Sequence, residues 1–315
     1  METKSCLLAL MLSLLLSITS ARSEGDIEIQ SKFKITNESS ITELLKTTSV
    51  GQYQIKNHSV YVYYDLYLDT PDLALFNNKL SLRLRKRTFE SGEMDYDLQL
   101  KSEPNVEDDV RMEVEEGSLS FYKVKIGDQW EPIEDLLGSI FKFVEGDIPQ
   151  RGPASDFHSQ IELITDWIKF KSNSTIDPFV KLKRFFPQDP LIVSKLRPVL
   201  IGVSKRERFH VFIQEGETEL KPLYTVRELP TFFIQNPRNI WLAEMSADHA
   251  HFFSIKNKKA RNVIMELEIE NKYPDSIISK EYIHKLNNEL AKKFSIEANY
   301  DSKYRDSILH LMDNI

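Results

Sequence analysis

The clearest regularity along the chain has a period of two. Leu80, Leu82 and Leu84 alternate with Arg83, Arg85 and Arg87, and alternate side chains of a strand point to opposite faces. The same rhythm sets Glu28, Gln30, Lys32 and Lys34 against Ile27, Ile29 and Phe33. It sets Asp97, Gln99 and Lys101 against Leu98 and Leu100, and Arg111, Glu113 and Glu115 against Met112 and Val114. Near the end, Glu266, Glu268 and Glu270 share a face opposite Met265, Leu267 and Ile269. "VYVYYDLYLDT" is rich in β-branched and aromatic residues, and "PFVKLKRFF", "SKRERFHVFI", "PLYTVREL" and "IWLAEMSA" read as further strands. Helical spacing is confined to three places. Residues 38–48 predict a short helix capped by Ser39 or Ser40. Residues 117–178, around Trp130 and Trp167, predict a helical insertion. The tail 276–315 is read as helical, with Ile278, Tyr282, Leu286 and Leu290 on one face.

The recurring unit is thus a strand with one apolar and one densely charged face. Cations stand at 32, 83, 85, 101, 111 and 206, and carboxylates at 28, 113, 115, 266, 268 and 270. An antiparallel barrel gives each strand two environments and removes its edges. With helices covering the apolar outside, the charges would line the lumen, where they need partners or a ligand because isolated buried ions are very costly. The pattern therefore predicts an α+β fold, mainly antiparallel β: a closed or nearly closed eight-stranded tunnel barrel with flanking helices and a helical insertion. A carrier of apolar ligands would need an apolar lumen, which the alternation contradicts.

Composition narrows the chemistry. Residues 1–23 carry Lys4, an apolar run from Leu7 to Ile18, and the small residues Ala21 and Ser23, which is the pattern of a secretory signal peptide. That run is short of the roughly 20 residues a spanning helix needs. The expectation is a single domain, 24–315, secreted or periplasmic and without stable membrane insertion after cleavage. Cys6 is the only cysteine and lies in the leader. The mature chain then has no disulfide or thiol chemistry, and a metal would be held by oxygen or imidazole, favouring hard cations. A formal net charge of −7 argues against nucleic acid as a bulk electrostatic partner. Asn37, Asn57 and Asn173 open N-x-Ser/Thr sequons, which matter only in a eukaryotic secretory pathway.

Four pieces of the chain together resemble the CYTH superfamily, the triphosphate tunnel metalloenzymes. "IEIQSKF" is similar to the family's opening E-x-E-x-K strand. "DLYLDTPDLALFNNKLSLRLR" resembles its D-x-Y-x-D-T…L-R-x-R segment. "LQLKSE" with "VRMEVEE" resembles its Lys and R-x-E-x-E strands, and "VLIGVSKRERF" with "IMELEIE" its later basic and acidic strands. The resemblance implies a tunnel in which Arg83, Arg85, Lys32, Lys101, Arg111 and Arg206 bind the oxygens of a triphosphate or polyphosphate anion. It implies that Glu28, Glu113, Glu115, Glu266 and Glu268 hold Mg²⁺ or Mn²⁺, with Asp248 a further acidic candidate. Glu28, Lys32 and Arg206 would then stand nearest the reaction. Guanidinium forks suit phosphate bidentately and Lys acts as a point charge.

Gln30 departs from the family pattern, which has Glu there. An amide offers an oxygen to a metal but removes one charge. Two readings therefore stay open: a secreted metal-dependent hydrolase of triphosphate or inorganic polyphosphate, or an impaired tunnel that only captures a polyanion. Nucleotide cyclisation, which some family members perform, is disfavoured by the compartment. Asp69 is expected to cap the turn before Pro71, and His249 and His251 to be surface or core residues without a third metal ligand.

Overall fold

The computed structural model describes residues 26–107, 110–120, 125–126, 129–130, 157–173, 175–214, 239–257, 260–273 and 276–311. The leader and "PLYTVREL" lie outside these residues. Eight long strands make the body: β1 (Asp26–Ile35), β3 (Tyr53–Asp69), β4 (Leu80–Phe89), β5 (Met94–Glu107), β6 (Val110–Ser120), β9 (Arg197–Gln214), β10 (Asn239–Ser254) and β11 (Arg261–Asn271). All pair antiparallel, in the order β11-β10-β9-β3-β4-β5-β6-β1. Strand β1 pairs β6 through Asp26–Gln30 and β11 through Gln30–Lys34, so a ladder joins the two ends of the sheet. Short strands β2 (Ser49–Val50) and β12 (Ile296–Ala298) extend β3 and β1, and β7 (Lys125–Ile126) pairs β8 (Gln129–Trp130) as a separate hairpin.

The apolar faces point outward, into two clusters capped by helices. Leu66, Leu82, Leu84, Leu98 and Leu100 pack under α3 (Phe157–Lys171) and α4 (Asp177–Phe185), with Trp167 and Phe179 between them. Phe33, Ile55, Phe209, Val211, Leu267 and Ile269 pack against α1 (Glu38–Lys46) and α5 (Ile277–Lys293), whose Leu286 and Leu290 are fully buried. A third cluster joins Tyr67, Leu200, Phe252 and Ile264 to Tyr304, Ile308 and Leu311 of α6 (Lys303–Leu311). These last strand residues share the inward phase, so α6 packs against the apolar end of the tunnel wall.

Three expectations change. "PFVKLKRFF" is the helix α4, not a strand: Pro178 sits in the first turn, where its missing N–H costs nothing, and Phe179 and Leu182 bury one face. The cap of α1 is Asn37, whose side chain accepts from the Ser39 N–H at 2.9 Å, in place of Ser39 or Ser40. The tail is not wholly helical. Strand β12 interrupts it because β1 offers free ladder positions from Phe33 to Ile35.

Asp69 does cap the turn. Its carboxylate accepts from the N–H groups of Thr70, Leu75 and Phe76 at 2.7, 2.9 and 3.0 Å, covering the start of the one-turn helix α2 (Ala74–Asn77). The Tyr304 hydroxyl donates to the same carboxylate at 2.6 Å, and its ring stacks on Tyr67 at 4.9 Å and 12°. Helix α6 is thereby fastened to the strand that carries the tunnel wall.

Candidate functional site

Because the side-chain period is two, the charged faces of β1, β3, β4, β5, β9, β10 and β11 reach one cavity of about 210 Å³. Arg83, Arg85 and Arg87 enter from β4, Gln99 and Lys101 from β5, and Arg206 and Arg208 from β9. Asp248 enters from β10, Glu268 and Glu270 from β11, and Gln30 and Lys32 from β1. Among the described residues, eight basic and five acidic side chains line it, which leaves the cavity electropositive inside an acidic chain.

The wall is extensively paired. Arg85 grips Asp65 bidentately at 2.6 and 2.7 Å, while Arg83 lies 3.8 Å from the same carboxylate and donates twice to Gln99 Oε1 at 3.0 and 2.8 Å. Burial opposes ionisation of Asp65, but the Arg85 and Arg83 guanidiniums outweigh it and hold its carboxyl below the usual range. The ring of Tyr63 lies 4.1 Å below the Arg85 guanidinium and 5.4 Å from that of Arg206, a flat support for both forks. Arg208 is paired with Glu244, and Arg87 lies near Asp95 and Asp97.

The acidic centre is Asp248, Glu266 and Glu268. Each presents a carboxylate oxygen within 4.8 Å of the others, a spacing and chemistry that suit a hard divalent cation. Arg206 bonds Asp248 through both Nε and Nη2 and reaches Glu268 as well. Lys32 Nζ lies 3.3 Å from Glu266 and 3.0 Å from Glu268. A further ammonium enters from helix α6: Lys303 Nζ lies 2.8, 2.5 and 2.7 Å from Asp248, Glu266 and Glu268. It stands among the three carboxylates as a metal ion would, so the donor set does accept a cation. Burial opposes ionisation of Glu268, yet Arg206, Lys303 and Lys32 hold it well below the usual carboxylate range. Burial raises Glu266 despite Lys303 and Lys32, so the two neighbouring glutamates differ in their hold on a proton.

Set against the sequence-derived candidates, Lys32, Arg83, Arg85, Lys101, Arg206 and Glu268 all line the one cavity, and Glu266 joins the acidic centre beside it. The 206/208 ambiguity resolves by position, since only Arg206 touches the acidic centre. Glu270 stands apart, 2.6 Å from Lys272. Glu28, Arg111, Glu113 and Glu115 are described in backbone only, with Glu28 opposite Glu113 and Gln30 opposite Arg111 in the β1–β6 ladder. Two participants escaped the sequence reading. Asp65 was visible inside the D-x-Y-x-D-T segment but had no stated partner. Lys303 gave no signal, since one lysine at a helix start is ordinary.

Fold and site together define a tunnel-type antiparallel barrel with an electropositive lumen beside a cation-accepting acidic centre. Residues 26–147 match the CYTH domain, which bears out the resemblance over that stretch. Solved structures similar to the chain include a Hippeastrum protein described as an adenylyl cyclase with dominant triphosphatase activity, at 13% identity. It covers 91% of this chain and 97% of its own, with a TM-score of 0.46. A Bacillus halodurans protein described as adenylate cyclase-like is 14% identical, covers 90% and 98%, and has a TM-score of 0.42. The mimivirus capping-enzyme triphosphatase is 9% identical over 90% and 95%, with a TM-score of 0.31. No curated protein sequence matches the chain.

Proposed function

We propose that the tunnel binds a linear triphosphate or short inorganic polyphosphate and hydrolyses it with the help of Mg²⁺ or Mn²⁺. The observation that carries this reading is the convergence of Arg83, Arg85, Lys101, Arg206 and Lys32 on one cavity beside the Asp248–Glu266–Glu268 centre. Arg83 and Arg85, on one strand face, would grip successive phosphates. Lys101 adds a point charge on the next strand, and Arg206 and Lys32 lie where the chain meets the acidic centre. Asp248, Glu266 and Glu268, with Glu28, Glu113 and Glu115 as further candidates, would hold the ion. When bound, it would neutralise phosphate charge and lower the barrier to attack by water. The residues of this chain do the rest: they hold the phosphates in line and exclude bulk water.

Inorganic phosphate chains are favoured over nucleotides by compartment. Residues 1–23 are taken as a leader removed on export, which N-terminal sequencing of the secreted protein checks. A second reading, capture without turnover, is motivated by Gln30, buried in the cavity where the family pattern has a carboxylate. The deciding assay follows phosphate release from tripolyphosphate and ATP by the mature protein, with and without Mg²⁺ or Mn²⁺, beside an Arg83→Ala/Arg85→Ala variant. Metal-dependent release absent from the variant supports hydrolysis. Binding of tripolyphosphate without release supports capture, and neither would end both readings.

A further inference from the structure

The acidic centre is neutralised by the protein's own side chains. Three carboxylates meet two ammoniums and one guanidinium: Lys32, Lys303 and Arg206. A divalent ion added to this arrangement would leave two uncompensated positive charges in a buried place, which low effective dielectric makes expensive. Metal can therefore enter cleanly only if a resident cation leaves or anions arrive.

Of the three, Lys303 is the one placed to leave. It alone contacts all three carboxylates, which is the position the metal needs. Lys32 sits on β1 with a side chain only 3% exposed, and Arg206, though 20% exposed, is held by a two-nitrogen fork on Asp248, whereas Lys303, 13% exposed, meets the carboxylates through one atom at the end of a flexible stem. Its backbone need not move. Tyr304 on Asp69 and Tyr67, with Ile308 and Leu311 in the third apolar cluster, anchors helix α6 independently of the lysine. Rotation about a four-carbon stem would carry the ammonium from the carboxylates into the same cavity, toward the space between Arg83, Arg85 and Arg206.

We propose that Lys303 is a tethered cation that holds the metal position in the free protein, yields it to a divalent ion, and transfers its charge to the incoming phosphate chain. This rests on the proposed function and adds a coupling to it: metal and phosphate each make room for the other, so they bind with positive cooperativity. Lys303 thereby suppresses metal binding when no phosphate is present and keeps the acidic residues ordered meanwhile.

Titration calorimetry with Mn²⁺ alone, and with Mn²⁺ in the presence of a non-hydrolysed methylene analogue of tripolyphosphate, tests this on the native protein, Lys303→Met and Lys303→Arg. Free Mn²⁺ alone is counted after correction for metal held by the analogue in solution. Native protein should bind Mn²⁺ weakly alone and at least tenfold more tightly with the analogue. Lys303→Met should bind Mn²⁺ at least tenfold more tightly than native without the analogue, and lose most of the enhancement. Lys303→Arg should behave like native, with circular dichroism certifying the fold of each. Equal Mn²⁺ affinity in native and Lys303→Met, or weaker binding in the variant, would overturn the proposal while leaving the proposed function standing. If no protein binds Mn²⁺, the metal centre and this inference both fall. If Mn²⁺ binds but the analogue does not, the phosphate reading falls, and the coupling with it.

Discussion

The fastening of α6 can be tested by removing one oxygen atom. Tyr304→Phe deletes the hydroxyl that donates to Asp69 at 2.6 Å and leaves the ring stacked on Tyr67, so packing is preserved and only the hydrogen bond is lost. A bond to a charged group is worth about 1.5–3 kcal/mol. Asp69 keeps three backbone donors at 2.7–3.0 Å, so the carboxylate is not left bare, and the expected loss lies near the lower half of that range, about 2 kcal/mol. Urea unfolding should show a lower midpoint with unchanged slope. A cycle with Asp69→Asn should give a coupling of about 1–2 kcal/mol between the two positions. A loss under about 0.5 kcal/mol, within the scatter of neutral substitutions, or no coupling in the cycle, would refute the claim that this bond fastens the helix.

Two further outcomes follow from single side chains. His210 is held near a pKa of about 3, first by burial and then by the charges of His58, Arg208 and Lys272. Between about pH 3 and the ordinary histidine value of about 6.5 the unfolded chain binds one more proton than the folded one, so stability falls as pH falls. His210→Gln should flatten that acid limb by up to about 1.4 kcal/mol per pH unit, read as unfolding free energy against pH; an unchanged slope would show that His210 is not the group being titrated. A methyl group on Gly202 would stand 2.6 Å from Phe252 Cε1, inside a packed cluster. Gly202→Ala should cost about 1–3 kcal/mol by thermal unfolding, and Phe252→Leu should recover part of it; a neutral substitution would show that the ring has room to shift.

What the sequence revealed of the site follows from what a strand records. Period-two alternation is local, so Arg83 and Arg85, Glu266 and Glu268, and Lys101 could be assigned to a common face before any contact was known. Contacts between strands are not local. That Arg85 would spend its fork on Asp65, its direct partner on β3, or that Arg206 would bridge Asp248, opposite it on β10, and Glu268 one strand further, depends on the register between strands, which leaves no periodic trace. Lys303 was invisible for a stronger reason: it reaches the tunnel from outside the sheet, through the docking of a helix start. The misread "PFVKLKRFF" shows the converse, since its apolar residues fit a strand as well as a helix and Pro178 was the deciding signal.

The dual pairing of β1 has a consequence for how the chain is made. One half of this strand meets β6, but the other waits for β11, with Gln30 opposite both Arg111 and Glu270. The β11 partners lie more than 230 residues downstream, a separation that makes the pairing slow. At roughly 5–20 residues per second of synthesis, β1 would stand with half its backbone unpaired for some tens of seconds. In that interval it is an open edge, the kind of surface on which nascent chains stick to one another. Production of this protein should therefore depend on a factor that shields early strands, and circular permutants that place β1 directly after β11 should need it least.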